Sequence, residues 1–234
     1  MLESRNIVKK FLNKTAVDGI SVKLSPGRVY AMLGPNGSGK TTWMKMAAGL
    51  IKPTSGEMLY EGTPVGIESR KHITYMSTEP YFYTWMTAGD AGRYYADFFE
   101  DFHMDSYLSL LERMELRPEM KTRSLSSGMM AKMKIAVTLA RDARVYLLDE
   151  PFNGIDLLAR DEIRQTILER AGEDKTMMLS SHLVEEMEAI ADTALFIKDG
   201  RLAEEADLEA LRTERGLSMA DRYREIYGHT EVRA

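Results

Sequence analysis

Residues 20–24, ISVKL, set Ile20, Val22 and Leu24 on one face and Ser21 and Lys23 on the other, the two-residue period of a half-buried strand. Pro26-Gly27 predicts a turn, after which RVYAML (28–33) runs apolar into a glycine-rich loop. TTWMKMAAGL (41–50) reads as a helix stopped near Gly49 and Pro53, and EMLYEG (57–62) and HITYM (72–76) read as strands. From about Thr87 to Arg141 the period becomes helical, most clearly in SYLSLLERMEL (106–116). VYLLDE (145–150) is a short buried strand and DLLARDEIRQTILERA (156–171) a helix. TMMLSS (176–181) and TALFIKDG (193–200) are strands on either side of the helix LVEEMEAIA (183–191). Strands alternating with helices predict an α/β fold with a mainly parallel core sheet and a helical insertion in its middle. No repeat or linker divides the chain, so one domain over 1–234 is expected. A helical subdomain at about 79–143 and a charged helical tail at about 205–234 belong to it.

Composition narrows the function classes. With 234 residues, 44% apolar and 29% charged, the chain has the balance of a globular domain. A net charge of -5 offers no broad basic surface, so no nucleic-acid partner is expected. The absence of cysteine excludes disulfides, Cys-ligated zinc and iron–sulfur clusters. MLESRNIVKKFL lacks the apolar run of a secretory signal. The longest stretch free of Asp, Glu, Lys and Arg runs only from Val29 to Gly39, whereas a membrane span needs about 20 apolar residues. Any membrane role is therefore expected to be borrowed from a partner.

The chemistry begins at Gly34-Pro-Asn-Gly-Ser-Gly39-Lys40-Thr41, which fits G-x-x-x-x-G-K-[ST] between a predicted strand and a predicted helix. Gly34, Gly37 and Gly39 let backbone N–H groups curl around phosphate oxygens, and the helix presents its positive end. Asn36, Ser38 and Thr42 join them as candidate nucleotide-binding positions. Lys40 is expected to reach the β- and γ-phosphates and Thr41 to ligate Mg²⁺. In VYLLDEP, four apolar residues bury a strand so that Asp149 emerges at its C-terminal end, where open α/β sheets bind ligands. Asp149 is expected to hold Mg²⁺ through water, and Glu150 to orient and deprotonate the attacking water. His182, in LSSHLVEE, follows the next strand beside Ser180 and Ser181, within reach of a γ-phosphate. His72, His103 and His229 have no such setting.

Taken in order, these motifs resemble the nucleotide-binding subunit of ATP-binding cassette (ABC) transporters, bacterial exporter-like, over nearly the whole chain. LSSGM (125–129) stands where that family has LSGGQ, NGID (153–156) matches the D-loop, and Ser181-His182 the switch-histidine loop. KKF (9–11) fits the aromatic A-loop, which implies Phe11 against the adenine. The resemblance implies an ABC-type P-loop NTPase fold with an antiparallel N-terminal β part. It also implies two subunits packed head to tail, with Ser126 and Gly128 of one reaching the γ-phosphate of ATP on the other's P-loop. Capping of a helix by Ser126 or Ser127 is the simpler use of the same serines, and both uses can coexist. Ser127 and Met129 replace a Gly and a Gln of the signature. The Q-loop glutamine position falls on Thr78, whose side chain is too short to copy it. Glu79 beside it either approaches Mg²⁺ or is solvated near Pro80.

The stretch from Tyr75 to Phe102 is dense in aromatics, among them Tyr81, Phe82, Tyr83, Trp85, Tyr94 and Phe98. In the family this region receives a cytoplasmic helix of the membrane subunit; packing inside the helical subdomain is the alternative for each ring. The resemblance implies an ATPase using ATP and Mg²⁺ that dimerises with a second ATPase subunit, the same or different. It implies work for a separate integral membrane permease, at the cytoplasmic face of the cell membrane. A soluble ABC ATPase without a permease is the alternative. A P-loop kinase does not account for LSSGM and NGID.

Overall fold

A computed structural model describes residues 1–79 and 81–228; Pro80 and the last part of the expected tail, 229–234 with His229, lie outside the described residues. Strands β1 (Leu2–Phe11), β2 (Lys14–Leu24), β4 (Ser55–Tyr60) and β5 (Thr63–Pro64) form an antiparallel sheet in the order β2-β1-β4-β5. The second sheet has the order β10-β9-β3-β8-β7-β6, from β3 (Arg28–Leu33), β6 (Ile73–Met76), β7 (Val145–Asp149), β8 (Thr176–Ser181), β9 (Thr193–Lys198) and β10 (Arg201–Asp207). All its neighbours are parallel except β10, which runs antiparallel along β9.

The central strands are buried on both faces, which is why they read as continuous apolar runs rather than alternations. Their two-residue period survives in what each face touches. Ala31, Leu33, Tyr146 and Leu148 enter one core, and Tyr30, Met32, Val145 and Leu147 enter the other. Helix α1 (Lys40–Ala47) lies in the second core, where Trp43 is fully buried and its Nε1 donates to Ser4 Oγ of β1 at 3.3 Å. Between β6 and β7 the chain inserts α2 (Ala88–Phe98), α3 (Met104–Arg113) and α4 (Ser127–Leu139), which pack in the first core. A reciprocal cap of Thr87 and Asp90 starts α2. After β7 come α5 (Leu157–Arg170), α6 (Val184–Glu188), α7 (Leu208–Arg215) and α8 (Met219–Tyr227).

Besides the two-residue β5, two strands escape the periodicity. In β1 the register against β2 shifts around Asn6, which takes a left-handed φ of 45°, so its apolar positions lose a fixed spacing. β10 is an edge strand in which Ala206 alone is buried, and its charged residues read as tail. It extends to Asp207, whose carboxylate accepts from the N–H groups of Glu209 and Ala210 and starts α7, so residues 205–207 are strand rather than helix.

Candidate nucleotide and phosphate site

The glycine-rich loop joins β3 to α1 at the C-terminal edge of the parallel strands. Gly39 caps the helix with a left-handed φ of 109°, and a Cβ there would run into the carbonyl of Ala16. The loop thus lies against β2 with no room for a side chain at that point. The Lys40 ammonium is nearly buried and donates to the carbonyls of Gly34 and Pro35 at 2.7 and 3.3 Å. Its Nζ lies 3.8 Å from Glu150 Oε1. Burial pushes the Lys40 pKa down, against the pull of Glu150 and Asp149.

Asp149, at the end of β7, has no solvent exposure. Its Oδ1 accepts from Ser180 Oγ at 2.6 Å and from Thr41 Oγ1 at 3.2 Å, and its Oδ2 accepts from Tyr75 OH at 3.1 Å. Burial, then the neighbouring Asp149 charge, pushes the Tyr75 hydroxyl up, so it remains a donor. Glu150 adopts a left-handed φ of 51°, a strained setting that costs about 1–3 kcal/mol and survives only where its surroundings hold it. Here its N–H donates to Ser180 Oγ at 3.0 Å and to the Ser180 carbonyl at 3.2 Å. His182 Nδ1 sits 2.8 Å from Glu150 Oε2. With Nδ1–H donated to that carboxylate, a neutral ring offers only an acceptor at Nε2.

Of the four buried side-chain oxygens with no hydrogen-bond partner among the described residues, two belong to this site, Ser38 Oγ and Glu150 Oε1. Leaving such a group unpaired costs about 1–3 kcal/mol. A hydroxyl donor within the phosphate loop and a carboxylate acceptor beside the lysine suit a nucleotide phosphate and a water between them. The paired oxygens of Thr41 and Asp149 form the hard donor set that a divalent cation such as Mg²⁺ takes. The residues present therefore fit both groups. Asn36 and Gly37 are exposed on the loop, and Thr42 is half-buried in the first turn of α1.

Other expected residues lie apart from this cluster. Ser126 caps α4, its Oγ accepting from Met129 N–H at 3.2 Å, so the capping use of the serine is realised. A Cβ on Gly128 would come within 2.9 Å of the Gly154 carbonyl, so the signature turn is packed against the NGID turn. Asp156 of that turn caps α5 by accepting from Ala159 N–H. Phe11 ends β1 with its ring 47% exposed and Lys9 Nζ 5.0 Å from its centre, an aromatic face outside the cores. Thr78 is exposed. Glu79 is exposed, as the solvated reading expects, and its carboxylate pairs with Lys45 Nζ of α1 at 3.0 Å.

Tyr75 and Ser180 hold the Asp149 carboxylate, and sequence gave them no such role. Both sit on strands flanking β7, and only the strand order, which no local pattern reports, makes them its neighbours. Lys134 likewise reads as one more charge on a helix.

Residues 17–153 match the ABC transporter family. The uncharacterized ABC transporter ATP-binding protein YcbN of Bacillus subtilis (strain 168) is 34% identical over 218 residues, 91% of this chain and 71% of the relative. The lantibiotic transport ATP-binding protein SrtF of Streptococcus pyogenes is 31% identical over 214 residues, 89% of this chain and 92% of the relative. Among solved structures, an ATP binding subunit of an ABC transporter superposes with a TM-score of 0.86 at 24% identity, covering 97% of this chain and 99% of that one. A dimeric post-hydrolysis state of the cassette MJ0796 bound to ADP and Pi superposes at 0.80 and 21% identity, covering 89% and 99%. At these identities the two structures establish the fold.

Proposed function

The chain belongs to the ABC transporter family of ATP-binding subunits, and from that premise we propose that two subunits close around ATP, each nucleotide lying between the 34–41 loop of one and the Ser126–Gly128 turn of the other. The observation that carries the reading is the buried cluster of Lys40, Thr41, Asp149 and Glu150, with His182 on Glu150. Lys40 binds the β- and γ-phosphates in exchange for its carbonyl partners. The Gly34, Asn36, Gly37, Ser38, Gly39 and Thr42 positions line the phosphates. Glu150 Oε1 accepts a proton from the attacking water. Thr41 and Asp149 would hold Mg²⁺, which supplies charge neutralisation to the phosphates when bound. Phe11, with its exposed ring, stacks on the adenine.

A membrane partner is favoured by exposed aromatics at the entrance to the helical subdomain. Tyr83 and Trp85 stack with centres 5.7 Å apart, and Trp85 and Phe98 are 66% and 67% exposed. Side chains of this kind anchor interfaces, and they favour a permease helix over the soluble alternative. No helix among the described residues is long and apolar enough to cross a membrane. On the strength of its family, we place the subunit peripherally, at the cytoplasmic face of the membrane that holds the permease. The names of relatives, lantibiotic transport and peptide export among them, favour an exporter.

The purified chain is expected to release phosphate from ATP in the presence of Mg²⁺ and to stop when the cation is chelated; undiminished release in chelator would remove the cation from the reading. In the same assay Thr78→Ala should change the rate only a few-fold, because the exposed Thr78 side chain is far shorter than a glutamine. A collapse of activity would give the hydroxyl a role in hydrolysis.

A further inference from the structure

Helix α4 carries the signature turn at its start and, eight residues after Ser126, a lysine that is only 5% exposed. At about 1.5 Å per residue Lys134 lies about 12 Å along the helix from that turn. All neighbours from Met133 to Leu139 are buried as well. An ammonium in such a place is costly unless every donor is satisfied. It has three donors, and it finds three successive carbonyls: Ser77 at 3.1 Å, Thr78 at 2.8 Å and Glu79 at 2.8 Å. The ring of Tyr81 lies 5.3 Å from the same nitrogen. An alanine or leucine would fill an apolar helix face at less cost, so the charge is placed for what it grips.

What it grips is the loop after β6. Two residues before Ser77, Tyr75 donates to Asp149 Oδ2. On its other side the loop reaches α1 through the exposed Glu79–Lys45 pair, which is worth little by itself. The bonds of Lys134 are the strong ones, because breaking them strands a buried charge. We propose that Lys134 is a positioning residue for ATP hydrolysis, its ammonium clamping the 77–79 carbonyls so that movement of the signature helix is passed through Tyr75 to Asp149. The clamp holds backbone rather than side chain, so it works with a threonine at position 78. Burial lowers the Lys134 pKa, and the three carbonyl dipoles stabilise the charged form.

The proposal rests on the ATPase reading above, and its test separates the two. Lys134→Met keeps the length and removes the donors; Lys134→Arg keeps the charge and donors. Fluorescent ATP-analogue titration, kcat and hydrogen exchange across residues 73–79 are measured for both, with the native chain and Glu150→Gln alongside. Loss of a partner that orients a ligand-holding carboxylate typically costs about 10–100-fold. The methionine variant should therefore bind the analogue within two-fold of the native chain, lose roughly tenfold in kcat and exchange faster at 73–79. The arginine variant should recover part of that loss. Should Lys134→Met fail to fold, Lys134→Gln, with two donors and no charge, gives the same contrast. Equal kcat in the native, Met and Arg chains, or equal losses in Met and Arg, overturns the clamp while leaving the ATPase reading standing. An inactive native chain removes both.

Discussion

Glu150→Gln binds ATP as the native chain does and turns it over at least ~10²-fold more slowly, the loss expected when a general base is removed. The amide has the shape of the carboxylate and can still meet His182 Nδ1, which lies 2.8 Å from Oε2. Its place after β7 is held by backbone bonds to Ser180, which the substitution leaves intact. What disappears is the acceptor at Oε1, a buried oxygen with no hydrogen-bond partner among the described residues. A carboxamide cannot take a proton from water, and the 3.8 Å attraction to Lys40 goes with the charge. Because bound ATP is no longer consumed, the closed pair should accumulate, and light scattering should show twice the 26.5 kDa mass of one chain with ATP and not without it. Native turnover in this variant would take the proton-accepting role away from Glu150.

The parts of the site that a local pattern describes are legible in the sequence alone. Phosphate binding needs glycines, a lysine and a hydroxyl at fixed spacing in one strand–loop–helix unit, so residues 34–42 announce themselves. The same holds for Asp149-Glu150, where an apolar strand ends in two acids. The parallel core was legible for a related reason: strands covered on both faces leave no alternation to misread. What stayed hidden depends on which strands become neighbours. Tyr75 and Ser180 meet Asp149 because β6 and β8 flank β7, and Lys134 meets residues 77–79 because α4 packs over β6. The Glu79 carboxylate illustrates the same limit, since its partner Lys45 lies on a helix that precedes it by more than thirty residues. β1 and β10 were hidden by geometry of another kind, a bulge in one and an edge position in the other.

Sharing of each nucleotide between two chains is the centre of the account, and mixing two inactive variants tests it. Lys40→Ala removes the cation from the phosphate loop and leaves the signature turn untouched. Ser126→Asp keeps the cap on α4, since aspartate caps as well as serine, while placing a carboxylate where the partner's γ-phosphate is to be held. It also avoids Gly128, where a Cβ would press within 2.9 Å of the Gly154 carbonyl. In a homodimer of either variant both sites carry one lesion. In a mixed dimer both lesions fall in one site, and the other joins an intact loop to an intact turn. Phosphate release is measured for each variant alone and for their equimolar mixture, with mixed dimers verified by differential tagging. Activity that appears only on mixing is the result the shared site predicts; a mixture as inactive as its components, with mixed dimers present, would contradict it.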